Sequence, residues 1–256
     1  MTMTAYPDVD ALLGQLLDGI RDALGERLIG LYLYGSLVAG DFTPGTSDVD
    51  LLAATATTID EREFALLDAM HQKVAIQKPE WDGRIEIAYV SVEALHTFRE
   101  KASPIGIMSP GEPFHIVEAG HDWLVNWWVV RENGITLYGP PPQQVISPIT
   151  RREFLDVVRG HARRWPEWLE GRKRRKSQSY AILTMCRAWY AVTFGRQPSK
   201  QQAARWVQEQ LPEWAPLIEQ ALEWRVAPEN DEDDEHYPET VQFVTDMSAR
   251  VLRADS

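Results

Sequence analysis

The sequence predicts an α+β protein in two parts, an N-terminal α/β layer followed by a bundle of α-helices. Three observations carry this prediction. Amphipathic helical spacing alternates with short runs of β-forming residues from about residue 8 to residue 91. The run Gly139-Pro140-Pro141-Pro142, soon followed by Ser147-Pro148, cannot continue a regular element and marks a domain boundary. Beyond it the apolar spacing is helical almost throughout. The expected domains are therefore 1–146 and 147–256.

Residues 8–27 place Val9, Leu12, Leu13, Leu16, Leu17, Ile20, Ala23 and Leu24 on one side of a helix. Residues 28–34, rich in β-formers and stopped by Gly35-Ser36, predict a buried strand. Residues 41–47 have the chemistry of a turn, and 48–53 alternate like a strand. A helix at about 60–77 and a strand at 84–91 complete the layer. Residues 92–122 are mixed in character, with a loop expected at Ser109–Pro113. Residues 123–138 predict helix and then a short strand at 135–138. The second half predicts helices at 151–169, 178–194, 199–210, 213–224 and 238–253, with the acidic run Glu229–Glu235 as a solvated loop. No internal repeat is present.

With 256 residues, 44% of them hydrophobic, the chain supports a sizeable core. Its one cysteine, Cys186, rules out an internal disulfide. No secretion signal and no apolar stretch near the roughly 20 residues needed to span a bilayer are found, so a cytoplasmic protein is expected. A formal net charge of −12 disfavours nucleic acid and anionic membrane and suits metal ions and cationic small molecules. A monomer or weak dimer is the expected state.

The chemistry is concentrated in Gly35-Ser36 and Ser47-Asp48-Val49-Asp50. Carboxylates at i and i+2 of a strand point to one face, so Asp48 and Asp50 can reach one ion together. Hard divalent cations such as Mg²⁺ take oxygen ligands and share them with substrate phosphates. Glu86 sits between Ile85 and Ile87 in an apolar strand, where a charge is expensive unless paired or metal-bound. Such a triad supports in-line attack on phosphorus, with Glu86 taking the proton of a substrate hydroxyl. Gly35 lets backbone approach phosphate closely, and the Ser36 hydroxyl can donate to it. Taken singly, a Gly-Ser pair is usually a turn and an Asp-x-Asp a solvated strand end. Their conjunction with a later strand acid is what is specific.

Tyr34-Gly35-Ser36 with Ser47-Asp48-Val49-Asp50-Leu51-Leu52 resembles the signature of the DNA polymerase β-like nucleotidyltransferase superfamily. The second half narrows the resemblance. Leu183–Tyr190, Lys200, Ala203-Ala204-Arg205-Trp206 and Leu211-Pro212 resemble the helical domain of the streptomycin/spectinomycin aminoglycoside adenylyltransferases, as do Asp122 and Leu137-Tyr138-Gly139-Pro140. This resemblance implies a mixed sheet with flanking helices in the first domain and a helical substrate- and nucleotide-binding second domain. It further implies transfer of AMP from ATP to a hydroxyl of a small-molecule antibiotic. Ser36, Ser47, Asp48 and Asp50 would hold Mg²⁺ and the ATP phosphates, and Glu86 would act as metal ligand and base. Asp122, Arg187, Lys200 and Trp224 would contact the nucleotide, in an active site formed by both domains.

Two departures bear on the acceptor. The family's antibiotic-contacting tryptophan would fall near Pro104, and its acidic contact at Ser177, directly after the basic run Arg172–Lys176. An aminoglycoside is a polycation, so a lost acid and five added bases point to an altered acceptor specificity. The alternatives are a lincosamide-like drug, another hydroxylated metabolite or a protein as acceptor, or a nucleotide-binding, antitoxin-like regulator. The tryptophans are expected mostly in packing. The six histidines show no metal-ligand spacing, so no zinc is expected.

Overall fold

Pro7 at the first helical position pre-sets φ, and Asp8 and Asp10 in the first turn complement the helix dipole, so α1 runs Pro7–Leu24 and stops at Gly25. These features come from a computed structural model that describes residues 4–226 and 231–254. The chain divides into two compact units, Met1–Pro148 and Ile149–Ser256.

The first unit is built on a six-stranded sheet of order β5-β4-β3-β2-β1-β6. Strand β1 spans Leu28–Tyr34, β2 Val49–Thr55, β3 Ile85–Ser91, β4 Ser103–Met108, β5 His115–Ala119 and β6 Ile135–Tyr138. Helix α2, Ser36–Ala39, follows β1, and α3, Glu61–Gln77, joins β2 to β3 as a parallel crossover. The remaining strand pairs are antiparallel, so the sheet is mixed. A capping box between Asp60 and Glu63 starts α3.

Strand alternation sorts the side chains of this sheet onto two faces. Leu31 and Leu33 of β1, Leu51 and Ala53 of β2, and Ile87 and Tyr89 of β3 join Leu12, Leu16 and Ile20 of α1 and Leu67 and Val74 of α3 in one core. Each fully buried leucine there contributes about 1.5–3 kcal/mol. Tyr32, Leu52, Ala54 and Val90 on the other face are buried as well. Helix α5, Leu124–Asn133, packs on β1, and its Trp127 is 2% exposed. Short helices α4, Val92–Thr97, and α6, Pro142–Val145, complete the unit.

The mixed stretch 92–122 resolves into α4 and the β4–β5 hairpin, with 109–114 as the connecting turn. Pro104 is compatible with β4 because the β3–β4 ladder covers only Gly106–Met108, leaving its missing N–H without a role there. Gly106 is required by packing: a Cβ would lie 2.6 Å from Ile59 Cδ1 and 2.9 Å from Phe114 Cζ.

The second unit is helical: α7 Arg151–Leu169, α8 Arg175–Phe194, α9 Lys200–Gln210, α10 Ala215–Val226 and α11 Tyr237–Arg253. Helix α8 packs against α7, α9, α10 and α11 and is buried on most sides. Its Gln178, fully buried, accepts from Thr240 Oγ1 at 2.6 Å and donates to Lys173 O at 2.6 Å. Among the described residues no helix is long and apolar enough to cross a membrane. The acidic loop begins at residues 229 and 230, which lie outside the described residues.

Candidate active site

Two strands set two of the sequence-predicted acids, Asp50 and Glu86, side by side, and a third strand adds Tyr34. Tyr34 of β1 stands opposite Asp50 of β2, and Asp50 stands beside Glu86 of β3. Cross-strand neighbours share a face, so the three side chains form a row at one end of the sheet. All three are half-buried, where the next residues along each strand are fully covered. Asp48 lies one residue outside β2 and is half-buried too. Tyr34 was not anticipated as a site residue. Burial first, then the negative charges of Glu86 and Asp50, push its phenol well above its ordinary range. It therefore stays protonated and able to donate.

Gly35 follows Tyr34 with φ 72 and ψ −144, a conformation that side chains resist. A Cβ here would meet Asp50 Oδ2 at 1.8 Å. The absence of a side chain is what allows the Asp50 carboxylate to lie against this backbone. Ser36 then opens α2.

The loop into Asp48 is closed from within and from outside. Ser47 is 6% exposed, and its Oγ accepts from Thr43 N at 2.9 Å while its own N donates to Thr43 O at 2.9 Å. Arg84 donates to Ser47 O at 2.6 Å and to Glu80 O at 3.1 Å, with its guanidinium 4.5 Å from the Trp81 ring centroid. The Arg84 carbonyl accepts from Val49 N at 2.9 Å.

Asp122 occupies the short 3₁₀ turn His121–Trp123 and accepts from Gly120 N at 3.1 Å. In the second unit, Arg187 on α8 donates from Nε to Pro198 O at 3.2 Å. Lys200 is the first residue of α9, where the helix dipole disfavours a cation, and its Nζ sits 5.5 Å from the Tyr180 ring centroid. Trp224 on α10 is 8% exposed and meets the edge of His236 at 5.8 Å. Trp165, Trp168 and Tyr180 form an aromatic cluster with centroids 4.6–5.8 Å apart, and Tyr180 is exposed. Among the described residues no group of three His, Cys, Asp or Glu side chains is gathered as a ready-made metal cage.

The basic run does not stand as bare positive charge, which corrects one premise drawn from the sequence. Arg175 pairs with Asp234 at 2.7 Å and Glu232 at 3.1 Å, and Arg174 pairs with Asp231 at 3.5 Å. Lys176 N donates to Asp231 Oδ1 at 2.9 Å, and Arg175 N donates to Glu232 O at 3.0 Å. Arg172 and Lys173 lie over the rings of Trp168 and Tyr237. The acids of the predicted solvated loop are the partners of the bases, so the repulsion expected toward a cationic acceptor is offset locally.

Residues 15–99 match the nucleotidyltransferase domain family, and residues 144–250 match the aminoglycoside adenylyltransferase C-terminal domain. The protein is a nucleotidyltransferase. An aminoglycoside (3'') (9) adenylyltransferase of Escherichia coli is 24% identical over 250 residues, covering 90% of each chain. A spectinomycin 9-adenylyltransferase of Staphylococcus aureus is 26% identical over 207 residues, covering 77% of each. The crystal structure of spectinomycin adenyltransferase AAD(9) from Enterococcus faecialis with ATP and spectinomycin shares the fold. Its TM-score is 0.75 at 16% identity, over 94% of this chain and 98% of that one. The chain thus carries a nucleotidyltransferase domain followed by an aminoglycoside adenylyltransferase C-terminal domain.

Proposed function

We propose that this protein transfers AMP from ATP to a hydroxyl of an aminoglycoside or aminocyclitol antibiotic such as spectinomycin or streptomycin, in a Mg²⁺-dependent reaction. The observation that carries this reading is the registered row of Tyr34, Asp50 and Glu86 beside a Gly35 backbone that admits no side chain. The donor set suits a hard cation: the carboxylates of Asp50 and Glu86 are neighbours on parallel strands, Asp48 lies two residues before Asp50, and Mg²⁺ commonly completes its shell with phosphate oxygens and water. When bound there, Mg²⁺ would neutralise charge on the phosphates during in-line displacement.

The chain's own groups divide the remaining work. Gly35 and Ser36 present backbone N–H and hydroxyl to phosphate. Ser47, whose Oγ already accepts from Thr43, retains an O–H for donation. Glu86 takes the proton from the attacking hydroxyl. Asp122, Arg187, Lys200 and Trp224 are proposed as further nucleotide contacts.

The reading is tested by incubating the protein with ATP, Mg²⁺ and each antibiotic and measuring product mass. An AMP-sized gain on spectinomycin or streptomycin is expected. Adenylylation of a different hydroxylated acceptor alone would keep the transferase and sink the antibiotic assignment. The departures at Pro104 and Ser177 are what make that comparison worth running.

A further inference from the structure

Asp48 is the one acid of the triad outside a strand, so no ladder fixes its backbone directly. Its peptide neighbours are nevertheless held on both sides by a single residue. The Arg84 guanidinium donates to Ser47 O at 2.6 Å, and the Arg84 carbonyl accepts from Val49 N at 2.9 Å. These two bonds bracket Asp48. The guanidinium is itself held, bonded to Glu80 O at 3.1 Å and stacked 4.5 Å over Trp81, which is 2% exposed. Arg84 N donates to Trp81 O at 3.1 Å, tying the same residue to the turn that supports the ring. A guanidinium bonded to two carbonyls and stacked on a buried indole is locked in one rotamer, unlike an arginine free in water.

We propose that Arg84 is a positioning residue for the nucleotidyl-transfer site, gripping the chain on either side of Asp48 so that its carboxylate is aimed with that of Asp50. The inference rests on the metal-binding reading of these aspartates. Lysine cannot substitute: it keeps the charge but lacks the planar fork that reaches Ser47 O and Glu80 O at once and stacks on Trp81. Groups that orient metal ligands from behind typically change affinity by 10–100-fold when removed.

The test uses the full chain and Mn²⁺ alone as probe, titrated by electron paramagnetic resonance, with Arg84→Lys, Arg84→Ala and Asp50→Asn. Hydrogen exchange is measured in the metal-free protein. For Arg84→Lys we expect Mn²⁺ affinity to fall about 10-fold or more. Exchange should quicken at Thr43 and Ser47 while the amides of β2 from Leu51 to Ala53 keep their protection. Mn²⁺ affinity within twofold of the parent, with unchanged exchange at Ser47, would overturn the role of Arg84. Quickened exchange along the whole sheet would reduce it to a folding contact and also overturn it. If Arg84→Ala does not fold, Arg84→Lys decides. The Asp50→Asn arm separates the two levels. Lost Mn²⁺ binding there with a neutral Arg84→Lys removes only Arg84, whereas unchanged binding in Asp50→Asn removes the metal reading and this proposal with it.

Discussion

Replacing Gly35 by alanine puts a methyl group where the Asp50 carboxylate now lies. The new Cβ would sit 1.8 Å from Oδ2 and 2.4 Å from Cγ of Asp50, against an ordinary contact of about 3.5–4 Å. Asp50 must therefore retreat by roughly 2 Å or the β1–α2 turn must open. The backbone adds its own cost, because φ 72 with ψ −144 is a region that only glycine occupies easily, worth about 1–3 kcal/mol for another residue. Overpacking adds about 1–3 kcal/mol. A loss of about 2–6 kcal/mol in urea unfolding is expected. Gly40→Ala is the matched control: φ is 71, but no heavy atom lies within 4 Å of the added methyl, so only about 1–2 kcal/mol is at stake. Misplacing a reacting group by an ångström costs about 10²-fold in rate, so Gly35→Ala should lose AMP transfer by that order while Gly40→Ala keeps it. Equal unfolding midpoints for the two variants, with transfer in Gly35→Ala above half that of Gly40→Ala, would refute the close-approach reasoning.

Two further outcomes follow from the site and the core. Glu86→Gln is expected to bind ATP while losing transfer by about 10²–10⁴-fold, measured by equilibrium binding and product mass; unchanged transfer would remove Glu86 as base. His71 is buried, bonded through Nε2 to Tyr89 OH at 2.8 Å, and burial lowers its pKa to about 4 from 6.5. The unfolded chain therefore binds a proton that the folded chain refuses as pH falls from 6.5 toward 4. Stability from this group is full above that window and declines through it, by on the order of 3 kcal/mol in total. The urea midpoint should drop accordingly between pH 7 and pH 4.5, with a shallower drop in His71→Gln. An identical slope in both proteins would show that His71 is not the group responsible.

Much of this architecture could be read along the chain because it depends on local chemistry. Proline and acids at the start of α1, the capping box of α3 and the apolar periodicities of α7 and α11 act within a few residues of themselves. The β4–β5 hairpin was not readable in this way. Pro104 and Gly106 weaken the strand signal, and both are tolerated only because of what lies beside them. The basic run posed a similar difficulty: Arg175 finds Asp234 across 59 positions, a pairing that periodicity does not encode.

The sequence by itself determined which groups are the candidates for the proposed chemistry, since Gly35-Ser36, Asp48, Asp50 and Glu86 are specified by residue type and strand spacing. Only the tertiary structure decided how they meet. Register set Asp50 beside Glu86 and brought Tyr34 into the same row, and packing placed Arg84 on Trp81 where it reaches Ser47. The physical reason is that alternation along a strand selects a face, whereas alignment between strands depends on ladders and side-chain contacts made by residues far apart in the chain.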